Sequence, residues 1–202
     1  MKKYLSTLLI ALCMTVNLTG CPSFPSGGGT VGTLDRRSTA AQTDDKVMEV
    51  KILDEAMNYL NNHSSDKQFE PTIFVISYNR QILLLGLVAS ESDKNQVERV
   101  ARAQPAAQNV YNYVDVSSES HTSRPRIYSY NILVNVRGVS PTYTKVVTYD
   151  DRIAYVMGIL TPEEQQLAIN KISAVDSVGA VISLYQTFNP VSANQGTNST
   201  NS

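Results

Sequence analysis

Two stretches of this chain repeat one order of elements, and that repeat limits the fold more than any single motif. The first copy runs Thr72-Ile73-Phe74-Val75-Ile76-Ser77-Tyr78, then Asn79-Arg80, then Gln81 to Gly86. The second runs Lys145-Val146-Val147-Thr148-Tyr149, then Asp150-Asp151-Arg152, then Ile153 to Gly158. Each is a pair of β-branched apolar runs around a polar turn, the signature of a hairpin. The closing glycines, Gly86 and Gly158, lie 72 residues apart. An amphipathic helix should follow each glycine. Ser90 can cap the first, with Val97, Val100, Ala101 and Gln104 on one face. Thr161-Pro162-Glu163-Glu164 is a capping box with proline at the first helical position, and Leu167, Ile169, Ile172 and Val175 follow. A third strand closes each copy, Val110 to Val116 and Val178 to Phe188.

Each copy also opens on an apolar stretch. Val47, Val50, Leu53, Met57 and Leu60 recur at helical spacing, with Asp44-Asp45 placed to cap the helix and favour its positive end. Ile127 to Val136 reads two ways. Its Ile, Val and Tyr content favours strand, whereas the repeat argues for helix. Taken as helix, it makes each unit helix-strand-strand-helix-strand. The expected class is α+β, two tandem modules with two helices packed on a three-stranded sheet. About 70 residues is little for an isolated core, so the modules should support each other.

The N-terminus supplies an address. Lys2 and Lys3 precede an apolar core from Leu5 to Leu18, too short for a comfortable membrane span. Leu18-Thr19-Gly20-Cys21 resembles the lipobox of bacterial lipoproteins, which implies cleavage before Cys21 and acylation of its thiol. An ordinary secretory leader or an uncleaved anchor helix would give a similar start. Loss of residues 1–20 takes Lys2 and Lys3, leaving 15 basic residues against 18 acids, a formal charge of −3. That balance offers nothing to nucleic acid. Cys13 leaves with the leader, so an acylated Cys21 leaves no free thiol for disulfides or catalysis. Residues 21–43 read as a flexible tether, with Pro22, Pro25 and Gly27-Gly28-Gly29 among Ser and Thr. The expected domains are 44–117 and 124–188, joined by a linker at 118–123. Residues 189–202 should be disordered.

The repeat behind a lipobox resembles the BON family of bacterial envelope domains over residues 35–188. Arg80 to Gly86 and Arg152 to Gly158, each with its helix and third strand, carry the likeness. Leu34-Asp35-Arg36-Arg37-Ser38, Gln42 and Asp44-Asp45 look like the segment before the first domain in dual-BON outer-membrane lipoproteins. The family's Gly-Val step before the third strand is replaced by Ala106-Ala107 and Ser177-Val178. The resemblance implies an outer-membrane lipid anchor facing the periplasm, affinity for anionic phospholipid and a role in envelope integrity. Pro22 after the cysteine, where inner-membrane retention in many relatives uses aspartate, agrees with the outer membrane. The family's lipid contact maps to the first helix of the second domain, here Ile127 to Val136.

Charge patterning points to the same place. From 120 to 149 there is no acid in 30 residues, while Arg124, Arg126, Arg137 and Lys145 stand among Tyr128, Tyr130, Tyr143 and Tyr149. Basic residues attract anionic headgroups, and tyrosine suits an interface. The candidate lipid-binding residues are Arg124, Arg126, Ile127, Tyr128, Tyr130, Val134 and Arg137, with phosphatidylglycerol as a suitable lipid. The bland alternative is half a small domain that happens to lack acids. His63 and His121 have neither ligand spacing nor a nucleophile arrangement, so no metal, cofactor or enzymatic activity is expected. The alternative functions are an adaptor for another envelope protein and a structural part of an envelope or secretion assembly.

Overall fold

The computed structural model describes residues 35–63, 69–117, 127–129, 139–150 and 152–190. The leader, Cys21, the linker at 118–123 and residues 191–202 lie outside them. The fold is α+β, and both repeated hairpins form. In the N-terminal half, β1 (Thr72–Tyr78) pairs antiparallel with β2 (Gln81–Val88). Tyr78 faces Gln81, which leaves Asn79-Arg80 as a two-residue loop with φ of 50° and 64°. Two successive positive φ values define the turn whose twist suits a hairpin. Helix α2 (Glu91–Arg102) crosses over to β3 (Asn109–Val116), parallel to β2, giving the order β1-β2-β3. Ser90 caps α2 as expected, its hydroxyl accepting from the Asp93 N–H.

The C-terminal half repeats this with β5 (Thr144–Tyr149), β6 (Ile153–Leu160), α3 (Pro162–Ser173) and β7 (Ala180–Thr187). The Thr161–Glu164 capping box closes in both directions. Its opening segment differs from the expectation. Ile127–Ser129 is a strand, β4, and not the start of a helix. Ile127 pairs with Tyr149, Tyr128 with Thr148 and Ser129 with Val147, so the second sheet has four strands in the order β4-β5-β6-β7. An open β5 edge satisfies the backbone of these residues, and their local strand preference prevails over the analogy with the first copy. The rest of that predicted helix, 130–136, lies outside the described residues. Against the two expected helices, α3 is the one α-helix described on this sheet, beside a short 3-10 turn at Pro141–Tyr143.

Helix α1 (Thr39–His63) starts inside the stretch read as tether and is longer than predicted. Ser38 begins it, its hydroxyl accepting from the Ala41 N–H. The buried side matches the predicted one only at its C-terminal end, where Leu60 is buried and Met57 packs against the core. Met48, Ile52, Ala56 and Leu60 face the core, while Val47, Val50 and Leu53 are 46%, 69% and 39% exposed. The helix carries two apolar stripes, and packing chose the one spaced four residues apart. On α3, likewise, Ala168 and Ile172 are buried and Leu167 is exposed.

Three cores explain the long apolar runs of β2 and β6. Ile82, Leu84 and Val88 pack under α1 and α2. Leu83 and Leu85, on the other face, meet Val147, Tyr149, Tyr155, Met157 and Leu184 of the second sheet. Ala154, Val156 and Leu160 complete the third core with Ala168 and Ile172 of α3. The described residues fall in one compact unit of four layers, helix, sheet, sheet and helix. Strands covered on both faces cannot alternate polar and apolar residues. The two halves therefore do support each other, through a shared sheet-on-sheet core.

Candidate functional site

A polar constellation joins the start of α1 to the β1–β2 turn and to β5, and the segment before α1 extends it to α3. Asp45 and Glu49 are one turn apart on α1, so they project on the same side. Asp45 is 1% exposed. Its carboxylate accepts from the Asn79 and Arg80 N–H groups, both at 2.7 Å, from the Ser77 hydroxyl at 2.8 Å and from Arg37 at 3.0 Å. These bonds hold the positive-φ turn, and they replace the capping role expected of Asp45. Asp44 instead pairs with Arg80. Glu49 accepts from the Ser77 N–H and pairs with Lys145 of β5.

The segment before α1 reaches across both halves. Arg37 lies 4.3 Å from the Tyr78 ring centroid and pairs with Asp35 and Asp45. Arg36 lies between the rings of Tyr143 and Phe188, 3.8 and 4.2 Å from their centroids. It donates to the Ile159 carbonyl at 2.8 Å and to both carboxylate oxygens of Glu164. Burial raises the Asp35 carboxyl, but the hydrogen bonds and charge of Arg37 outweigh it, and the net pKa is lowered. Burial pushes the Tyr78 and Tyr149 hydroxyls well up and that of Tyr155 to about 12. These phenols stay neutral at physiological pH.

The acid-free stretch divides in two. Lys145, Tyr143 and Tyr149 are structural: Lys145 pairs with Glu49, Tyr143 stacks on Arg36, and the Tyr149 hydroxyl donates to the Gly86 carbonyl at 2.9 Å. Of the named lipid-binding candidates, Ile127 and Tyr128 have backbone positions on β4, at the edge of the second sheet. Arg124, Arg126, Tyr130, Val134 and Arg137, like Cys21, lie outside the described residues. Sequence reasoning missed the pairing of Arg36 with Glu164 and of Glu49 with Lys145. The one signal was the Arg36-Arg37 doublet beside Asp35, read only as part of a family likeness.

Other features offer little chemistry. His63 stacks on Tyr59 at the exposed end of α1. An open depression of about 710 Å³ is lined by Asp150, Arg152, Asp176 and Ser177 among others. Among the described residues no group of three metal-capable side chains gathers, and no helix is long and apolar enough to cross a membrane.

Residues 54–118 match the family model of the BON domain. The chain carries a BON domain. The match spans the end of α1, both strands of the first hairpin, α2 and β3. The chain is 27% identical over 192 residues to "Outer membrane lipoprotein DolP" of Haemophilus influenzae, covering 90% of this chain and 96% of that one. It is 26% identical over 158 residues to "21 kDa hemolysin" of Actinobacillus pleuropneumoniae, covering 74% and 77%.

Proposed function

We propose that this protein is an outer-membrane lipoprotein, anchored through acylated Cys21 and facing the periplasm, that binds anionic phospholipid and supports envelope integrity. The observation that carries this reading is the likeness to an outer-membrane lipoprotein over 90% of the chain. The C-terminal half acts as a second BON-like module, supported by its repeat of the strand-strand-helix-strand order. The lipid contact is Arg124, Arg126, Ile127, Tyr128, Tyr130, Val134 and Arg137, of which Ile127 and Tyr128 stand on β4 at the sheet edge. The protein is not an enzyme, and it needs no cofactor or metal.

Vesicle binding tests the lipid contact. Full-length mature protein with Cys21→Ser should bind phosphatidylglycerol vesicles, not phosphatidylcholine, and more weakly at high salt. Replacing Arg124, Arg126 and Arg137 together with serine should weaken binding about a hundredfold, at roughly 1 kcal/mol per basic residue. Equal binding by the triple variant would remove these arginines from the site. Labelling of the wild type with palmitate, lost in Cys21→Ser, tests the anchor.

A second reading is an adaptor that docks another envelope protein. The exposed stripe of Val47, Val50 and Leu53 on α1 favours it. A photocrosslinker at position 50 that recovers one protein stoichiometrically in cells would support it over lipid binding.

A further inference from the structure

We propose that the C-terminal half carries a guanidinium-binding pocket, and that Arg36 fills it to latch Asp35–Ser38 as a strap across both halves. The pocket walls are the Tyr143 and Phe188 rings, and its polar end is the Ile159 carbonyl and the Glu164 carboxylate. Every one of these groups belongs to the C-terminal half, whereas Arg36 directly precedes the first helix of the N-terminal half. The fit is specific to a planar, forked cation. Two rings hold its faces, and two carboxylate oxygens take the fork, a geometry that an ammonium does not match. The site is also largely dry, with the side chains of Arg36 and Glu164 14% and 13% exposed.

Glu164 is shared between two tasks. One of its oxygens accepts from the Thr161 N–H, which closes the α3 cap, and the same carboxylate receives Arg36. The α3 cap therefore presents a fixed carboxylate to the strap. Arg37 secures the other side, on Tyr78 and Asp45 of the N-terminal half. The strap thus ties the chain to both halves before α1 begins.

The latch changes where the chain leaves the body. With Asp35 held, only residues 21–34 remain between Cys21 and the folded protein. Fourteen residues reach at most about 46–50 Å, at roughly 3.3–3.6 Å each. This consequence, unlike the latch, rests on Cys21 being the anchor. It also places the exit of the tether beside Tyr143, six residues after Arg137 in the sequence.

Amide hydrogen exchange on full-length mature protein carrying Cys21→Ser tests the latch without lipid. Glu164→Gln and Arg36→Ala should each speed exchange at the Arg37 and Ala41 amides about ten- to a hundredfold, the range for losing charge-assisted bonds. Arg36→Lys should fall between Arg36→Ala and the wild type. Arg36→Ala leaves the α3 cap residues intact, so Thr161 should stay protected. Unchanged exchange at Arg37 and Ala41 in both Glu164→Gln and Arg36→Ala would overturn the proposal. So would an equal rise at core amides such as Leu84, which would mark global destabilisation instead of unlatching. A failure of vesicle binding would leave these outcomes untouched.

Discussion

Single residues carry more of this fold than their sequence context shows. Gly86 adopts a φ of 137°, and a Cβ there would lie 1.9 Å from the Thr72 carbonyl oxygen. Its partner in the repeat, Gly158, lacks the positive φ, and a Cβ would meet the Tyr143 oxygen at 2.8 Å. Gly86→Ala should therefore cost about 3–5 kcal/mol, strain and overpacking together, and Gly158→Ala about 1–3 kcal/mol. Urea unfolding of both variants checks the order. Asp45→Ala leaves the Asn79 and Arg80 N–H groups and Arg37 without their acceptor, and should cost about 3–5 kcal/mol. Asp35 sets a pH effect. Its folded pKa is lowered, so its contribution is fully present above the unfolded value of about 4 and is lost as pH falls through the folded value. Asp35→Asn should flatten the fall in stability below about pH 4 in an acid titration followed by circular dichroism.

Among the elements, local sequence signals hold where the local backbone decides. The hairpin at Asn79-Arg80, the Ser90 cap and the Thr161 capping box depend on a few neighbouring residues, and each forms. The buried face of α1 and the type of Ile127–Ser129 depend instead on what lies across from them. Helix α1 has apolar residues on two sides, and its sequence does not say whether Val50 or Ile52 meets the sheet. Ile127–Ser129 has both helical and alternating periodicity, and the free edge of β5 settles it as strand. Opposite substitutions on α1 separate its two stripes. Val50→Glu should change stability by less than about 0.5 kcal/mol, whereas Ile52→Ala should cost about 2–4 kcal/mol, both by urea unfolding.

For the whole molecule, the sheet-on-sheet core makes the two halves one folding unit. Tyr149 fills that core and donates its hydroxyl to the Gly86 carbonyl of the other half. Tyr149→Phe removes this bond between the halves and should lower stability by about 0.5–1.5 kcal/mol. Thermal unfolding should remain one transition, and two separated transitions would show that the halves melt independently. The α+β class, the repeat, the strand-strand-helix-strand order and the capped helices α2 and α3 are legible in the amino-acid sequence alone. Those features follow from turn chemistry and periodicity within a few residues. The buried face of α1, the pairing of β4 with β5, the packing of the sheets on each other and the reach of Arg36 to Glu164 emerge only on folding. Each of these joins groups far apart in the chain, 128 residues in the last case. Such pairings depend on shape and burial after folding, which local composition does not encode.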